Sequence, residues 1–177
     1  LYAAYFQSMF ESLADRDDSP AHLMHTLNDL ITKRLRAGDF ITAVIARFDL
    51  SEKTVTIVRA GHNWPLYYHA ASGNIRELKP SGMSIGLLED QLFLEHLEEQ
   101  KIGLEAGDML LLYSDGVSEA TDPENRMFAV DRLKSIIADN AQATSDEILE
   151  CIKRHLAEFM RGDEMHDDAT MMVIKIK

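Results

Sequence analysis

The sequence predicts an α+β fold built on mainly antiparallel sheet, and three observations carry that expectation. Strand–turn–strand patterns follow one another through the middle of the chain, helical patterns gather toward its two ends, and the strict β–α alternation of a doubly wound fold is absent. The 177 residues are 46% hydrophobic and 27% charged, enough for one domain with a substantial core. No internal repeat, low-complexity tract or linker divides them, so residues 1–177 are expected to form a single domain.

Leu1-Tyr2-Ala3-Ala4-Tyr5-Phe6-Gln7-Ser8-Met9-Phe10 reads as a helix already in progress, and the first residue is not Met, which predicts that an N-terminal part of the domain is missing. Its Tyr2, Tyr5, Phe6 and Phe10 are expected to pack on the core first, with a homodimer contact as the other use of that face. Ser19-Pro20 is a helix start, serine capping and proline in the first turn, and Leu23, Leu27, Leu30, Ile31 and Leu35 keep helical spacing until Gly38. Phe40 to Phe48 is β-branched and nearly continuously apolar, and Asp49-Leu50-Ser51-Glu52-Lys53 turns it into the strand Thr54 to Val58. Leu66-Tyr67-Tyr68 and Ile75 to Leu78 flank Ala71-Ser72-Gly73-Asn74, a second hairpin. Leu92 to Ile102 reads as a strand whose acidic residues Glu95 to Glu99 form a solvated face. Glu105-Ala106-Gly107-Asp108 is a turn, and Met109 to Tyr113 a buried strand. Val130 to Ala138 is a short helix, Thr144 with Glu147 makes a capping box for a helix reaching about Met160, Arg161-Gly162-Asp163-Glu164 ends it, and Met171 to Ile174 is a final strand.

Charge and cysteine content narrow the function. A net charge of −12 disfavours attraction to phosphate backbones or anionic lipid, so nucleic acid is not an expected partner. No run approaches the roughly 18 apolar residues of a membrane span, and no signal peptide pattern opens the chain. The single cysteine, Cys151, cannot form an internal disulfide, which fits a reducing cytoplasm, and its place among Ile148, Ile152, Leu156 and Phe159 predicts a core residue.

Two motifs point to chemistry. Tyr113-Ser114-Asp115-Gly116 closes the apolar run from Met109, and Asp167-Asp168-Ala169-Thr170 opens the apolar run that ends the chain. Carboxylates at the ends of buried strands suit a divalent cation, because hard metals take oxygen ligands and rigid strands fix where those oxygens point. Each motif alone also reads as an ordinary turn or an acidic loop, the second beside Asp163, Glu164 and His166. Other features carry less. His62 in Gly61-His62-Asn63 reads equally as a loop histidine bonded to backbone and is assigned no chemistry; His22 and His25 lack a partnered ligand; Trp64 before Pro65 reads as a structural wedge. Gly82 and Gly86 lack the Gly-Lys-Ser/Thr of a phosphate loop.

Taken in order, Ala60-Gly61-His62-Asn63-Trp64-Pro65-Leu66, Ser81-Gly82-Met83-Ser84-Ile85-Gly86, Leu104 to Asp108 running into Leu111 to Ala120, and Asp167 to Thr170 resemble the bacterial metal-dependent PPM-type serine/threonine phosphatases, in particular the SpoIIE/RsbU branch. The resemblance runs from about Phe40 to the end. It implies an α-β-β-α sandwich of two mainly antiparallel sheets flanked by helices. It implies metal ligation and catalysis at Asp115 and Asp167, with Asp168 as a further metal ligand or a neighbour of one, and manganese or magnesium, two ions in the complete domain, activating a water for attack on phosphorus without a covalent intermediate. It places a Gly-Asp and an Asp-x-x-Gly-His-Gly motif upstream of Leu1, without which this chain is expected to bind metal poorly. The implied substrate is phosphoserine or phosphothreonine on a regulatory protein such as an anti-sigma-factor antagonist. The implied context is the cytoplasmic output module of a bacterial signalling protein, as in response regulators, with sensor or receiver domains upstream. The rival reading is a catalytically inactive adaptor that keeps the fold to bind a regulatory protein.

Overall fold

The computed structural model describes residues 2–16, 19–162 and 167–177. They form two compact units, Leu1–His62 with Lys79–Gly103, and Asn63–Leu78 with Leu104–Lys177. Among the described residues no helix is long and apolar enough to cross a membrane.

The first unit holds helices α1 (Tyr2–Leu13), α2 (Pro20–Thr32) and α3 (Asp90–Glu95) and a sheet of strands β1 (Ala43–Asp49), β2 (Thr54–Ala60) and β5 (Gln100–Gly103) in the order β1-β2-β5, both pairings antiparallel. Strands β3 (Leu66–His69) and β4 (Asn74–Glu77) belong to the second unit. Register pairs Ala43↔Ala60 and Ile45↔Val58 put these side chains on one face, where they pack with Leu23, Met24, Leu27 and Ile31 of α2. Tyr5, Phe6, Met9, Phe10 and Leu13 of α1 lie partly buried against the same cluster, which is the core packing that the apolar face of α1 predicts. The turn after β1 is organised by Asp49, whose Oδ1 accepts from the N–H of Ser51 and Glu52, both at 2.9 Å. Gly61, at φ +69°, leaves room for Ser84, whose Oγ would stand 1.9 Å from an added Cβ.

Four sequence expectations need correction in this unit. The helix from Pro20 stops at Thr32, short of Gly38, because Arg34 and Leu35 both direct their N–H to Ile31 O and tighten the last turn. Residues 40–42 are not in β1; Ile41 instead bridges Ile85 on a separate segment. The expected strand from Leu92 to Ile102 is helix α3 followed by the shorter strand β5. Leu92-Phe93-Leu94 does not alternate, and a single helical turn buries Phe93 completely while leaving Leu92 exposed. Nor is the acidic run merely a solvated face. Glu99 Oε1 accepts from Ser19 Oγ at 2.7 Å and Ala21 N at 2.9 Å, reinforcing the α2 cap in which Ser19 Oγ accepts from His22 N, and Glu98 Oε2 accepts from Ser81 N at 3.1 Å.

The second unit holds the sheet β4-β3-β6-β7, with β6 (Met109–Tyr113) and β7 (Met171–Lys175), all pairs antiparallel. Its helices are α4 (Asp115–Ser118), α5 (Val130–Asp139) and α6 (Ser145–Met160). Leu66, Tyr68, Met109, Leu111 and Tyr113 share a sheet face and pack against Leu133, Ile136 and Ile137 of α5 and Ile148, Cys151, Ile152 and Leu156 of α6. Cys151 is a core residue, as expected. Leu110 points the other way and is buried too, which explains why β6 reads as an unbroken apolar run. Thr144 and Glu147 form the predicted capping box, and Arg161 ends α6 in the left-handed region at φ 53°. The rest of the predicted stop, Asp163-Glu164, lies outside the described residues.

Asp108, at the entrance to β6, is completely buried. Its carboxylate accepts from Tyr67 Oη (2.6 Å), Ala70 N (2.8 Å) and Glu105 N (2.9 Å), so its burial is offset by three donors. Burial, and then the bond to Asp108, push the Tyr67 hydroxyl well above the ordinary tyrosine range. Burial, with the charge of Glu77, pushes Tyr113 up to about 12.

Asp108→Ala strands those donors, and unfolding in urea is expected to show a loss of about 3 kcal/mol. The tyrosines predict alkaline sensitivity. An unfolded tyrosine ionises near about pH 10 whereas the folded ones hold their protons longer, so stability is full below that pH. It falls as pH rises through the folded value, about 12 for Tyr113. Tyr113→Phe is expected to flatten that decline in unfolding curves recorded at successive pH values.

Candidate metal centre

The register of β6 and β7 builds the site. Tyr113↔Met171 is the last pair, and the ladder continues one step: Ser114 N donates to Thr170 O at 2.9 Å. Ser114 stands at the N-cap of α4, yet its side chain makes no cap bond. Its hydroxyl instead donates to Asp168 O at 3.1 Å and accepts from Thr170 N at 2.9 Å. Gly116 completes the clamp. It is buried, and a Cβ there would sit 2.5 Å from Asp168 O, so only glycine lets α4 lie this close to the segment entering β7.

This clamp sets Asp115 beside the Asp167-Asp168 segment. All three carboxylates are exposed. Asp115 Oδ1 accepts from Gly116 N at 3.0 Å, and Asp167 Oδ1 accepts from Asp168 N at 2.8 Å. Each thus has one oxygen oriented by the next backbone N–H. The donors suit a hard cation in kind, being carboxylate oxygens on the ends of paired strands. They are short in number, because among the described residues no three His, Cys, Asp or Glu side chains converge to hold a metal ion. Asp163, Glu164 and His166, the acidic neighbourhood noted in the sequence, lie outside the described residues.

On the other flank of β6, the pairing Leu66↔Leu111 runs β3 antiparallel, so residues 63–65 approach the same sheet end. Asn63 Nδ2 donates to Ser118 Oγ at 3.4 Å, and that hydroxyl donates to Asp115 O at 3.4 Å. Past α4 the chain folds back, Ala129 N to Ser118 O at 2.9 Å, around a buried Asp122. Asp122 accepts from Arg126 Nε at 2.7 Å and from the N–H of Glu124 and Arg126, and the Arg126 guanidinium foremost holds its carboxyl down at about 2.

His62 belongs to the first unit, where Nδ1 lies 3.3 Å from Thr42 Oγ1 and its carbonyl accepts from Arg59 Nη1 at 2.8 Å. His25 sits 3.5 Å from Asp29 on α2. Sequence reasoning singled out Asp115, Asp167 and Asp168 as candidates and gave no role to Ser114, Gly116, Asn63 or Asp122. Gly116 was visible only as a turn residue, and nothing in a linear sequence marks a serine whose hydroxyl bonds across a sheet.

A family model described as Stage II sporulation protein E (SpoIIE) matches residues 1–177. The chain is 27% identical over 170 residues to the phosphoserine phosphatase RsbU of Bacillus subtilis, covering 94% of this chain and 48% of RsbU, so it spans about half the length of that relative. The SiaA-PP2C domain of Pseudomonas aeruginosa superimposes with a TM-score of 0.79 at 19% identity, over 100% of this chain and 68% of that one. The manganese-presoaked phosphatase domain of SpoIIE from Bacillus subtilis gives 0.64 at 17%, over 99% and 73%. The two antiparallel sheets with flanking helices match the PP2C fold. The chain belongs to the SpoIIE family of PPM-type phosphatase domains.

If Ser114 and Gly116 hold the carboxylate segments together, Gly116→Ala and Ser114→Ala are expected to weaken manganese binding about tenfold, the range found when groups orienting a metal ligand are lost. Calorimetric titration with the fold checked by circular dichroism measures this; unchanged affinity in both variants removes the clamp from the site.

Proposed function

We propose that this SpoIIE-family chain is a metal-dependent protein serine/threonine phosphatase domain that hydrolyses phosphoserine or phosphothreonine on a bacterial regulatory protein. The observation that carries this reading is the clamp at Ser114 and Gly116, which juxtaposes the two carboxylate motifs at neighbouring strand ends. Asp115 and Asp167 would hold manganese or magnesium, with Asp168 as a further ligand or as the group that orients Asp167 through its N–H. Two ions are proposed for the complete centre. Carboxylates of the Gly-Asp and Asp-x-x-Gly-His-Gly kind that the family resemblance implies would complete the set from outside this chain. Bound metal would supply Lewis acidity and a water of lowered pKa.

The chain's own residues do the positioning. Ser114 fixes the distance between the two strand ends, the N–H groups of Gly116 and Asp168 orient one oxygen of each carboxylate, and Asn63 steadies α4 through Ser118. Preorganised ligands of this kind leave little to be ordered when the phosphoryl group arrives.

The name of RsbU, a phosphoserine phosphatase, supports a phosphoprotein substrate in signalling, such as an anti-sigma-factor antagonist. A cytoplasmic output module under upstream sensor or receiver domains fits the same reading. The second reading, an inactive adaptor that binds a regulatory protein, draws on the absence of a three-donor group among the described residues.

The test is manganese-dependent hydrolysis of para-nitrophenyl phosphate and of a phosphoserine protein by the protein carrying this chain. Asp115→Asn and Asp167→Ala are each expected to lower kcat/KM more than about 100-fold with the fold intact, a loss larger than that from disturbing a ligand's support. An unaltered protein without metal-dependent turnover favours the adaptor.

A further inference from the structure

A cavity of about 520 Å³ lies in the second unit between α5 and α6 and shares no residue with the carboxylate motifs. Its floor is apolar. Phe128 and Ile136 are buried, and the Phe128 and Phe159 rings meet edge to face with centroids 5.4 Å apart. Arg132 and Asp139, which both line the cavity, are two turns apart on α5, so it runs about 10 Å along the helix. An elongated ligand fits that shape.

The polar groups around this floor are mostly acceptors. Among the described residues, the carboxylates of Asp139 on α5 and Glu158 on α6 have no hydrogen-bond or ion-pair partner. Ser135 Oγ donates to Asp131 O at 3.1 Å and keeps its lone pairs. His155 Nδ1 lies 2.8 Å from Cys151 O; a carbonyl accepts, so Nδ1 holds the proton and Nε2 is left as the acceptor. The cation lining the cavity, Arg132, places its guanidinium 4.7 Å from the centroid of the Phe159 ring and pairs with neither carboxylate. Asp131, at the rim, is shared with Lys134 at 3.5 Å.

These features select one ligand chemistry. An anion would meet two unpaired carboxylates, and a wholly apolar molecule would cover them without supplying donors. A divalent ion lacks its ligand set, because no three His, Cys, Asp or Glu side chains converge among the described residues. A chain of methylenes carrying ammonium groups meets each demand: the ammonium brings donors and positive charge to the acceptors, and the methylenes cover the apolar floor. We propose that the cavity between α5 and α6 binds a linear aliphatic polyamine, with its ammonium groups on Asp139, Glu158, Ser135 Oγ and His155 Nε2 and its methylenes over Ile136, Phe128 and Phe159. The inference goes beyond the phosphatase reading and does not depend on it.

The experiment titrates spermidine calorimetrically into the protein carrying this chain at about 0.15 M salt, where general attraction to a net charge of −12 is screened. Saturable binding with a dissociation constant of about 1 mM or below is the expected result. Asp139→Asn and Glu158→Gln, which keep side-chain size and remove charge, are each expected to weaken it about tenfold. Asp115→Asn at the carboxylate motif and Glu150→Gln, an exposed acid of α6 outside the cavity, leave the affinity unchanged. The apolar floor predicts that the straight-chain terminal diamine of pentane binds about tenfold more tightly than that of propane, which carries the same charge on fewer methylenes. Absence of saturable heat at about 10 mM spermidine, a loss in Glu150→Gln or Asp115→Asn equal to that in the cavity variants, or equal affinity for the two diamines each overturns the proposal.

Discussion

The second unit depends on the register of β6. This strand has neighbours on both edges and is buried on both faces, so a one-residue slip would carry Leu111 and Tyr113 to the wrong side of the sheet. Both of its ends are pinned. At the entrance, the Asp108 side chain holds Tyr67 and Ala70 on the β3 side, and its backbone carbonyl accepts from Ile176 N beyond β7. At the exit, Ser114 bonds by backbone and hydroxyl to Thr170 and Asp168. Asp115 is the residue after the second pin, so its place relative to Asp168 follows from strand register and not from loop conformation.

The acidic residues divide by what they bond. Asp49, Glu98, Glu99, Glu147, Asp108 and Asp122 are each turned toward several N–H or O–H groups or a guanidinium, and each organises a turn, a cap or a loop. Among the described residues, Asp115 and Asp167 each accept from the N–H of the next residue. In a chain of net charge −12, like-charged carboxylates set near one sheet end without that structural use are the donors on which the proposed divalent cation would draw.

Much of this was legible in the sequence because it was local. The capping box at Thr144, the Ser19-Pro20 start, the hairpin turns and the strand-ending aspartates are written in adjacent residues, and their order carried the family resemblance. What failed was decided by partners distant in sequence. Leu92 to Ile102 looked extended because acidic and apolar residues alternate in its second half. Burial of Phe93 against the α2 cluster made its first half a helix. Ile41 was claimed by Ile85, and Glu99 was recruited to a cap 78 residues away. Ser114 was invisible for the same reason, since its significance lies in bonds spanning 54 and 56 residues.

The choice of serine at 114 follows from what the clamp requires. The bridging group must both donate, to Asp168 O, and accept, from Thr170 N, and it must do so from a side chain short enough to leave the backbone N–H in the ladder with Thr170 O. A hydroxyl on one carbon satisfies all of these, whereas a carboxylate only accepts and an amide would reach past the strand. Using that hydroxyl across the sheet leaves α4 without a side-chain cap, which a helix of four residues tolerates because Val117 N and Glu119 N find Ser114 O and Asp115 O. The short helix and the uncapped N-terminus are therefore consequences of holding two acidic segments at a fixed separation. A rigid separation is what carboxylates need if they are to hold a cation without reorganising around it.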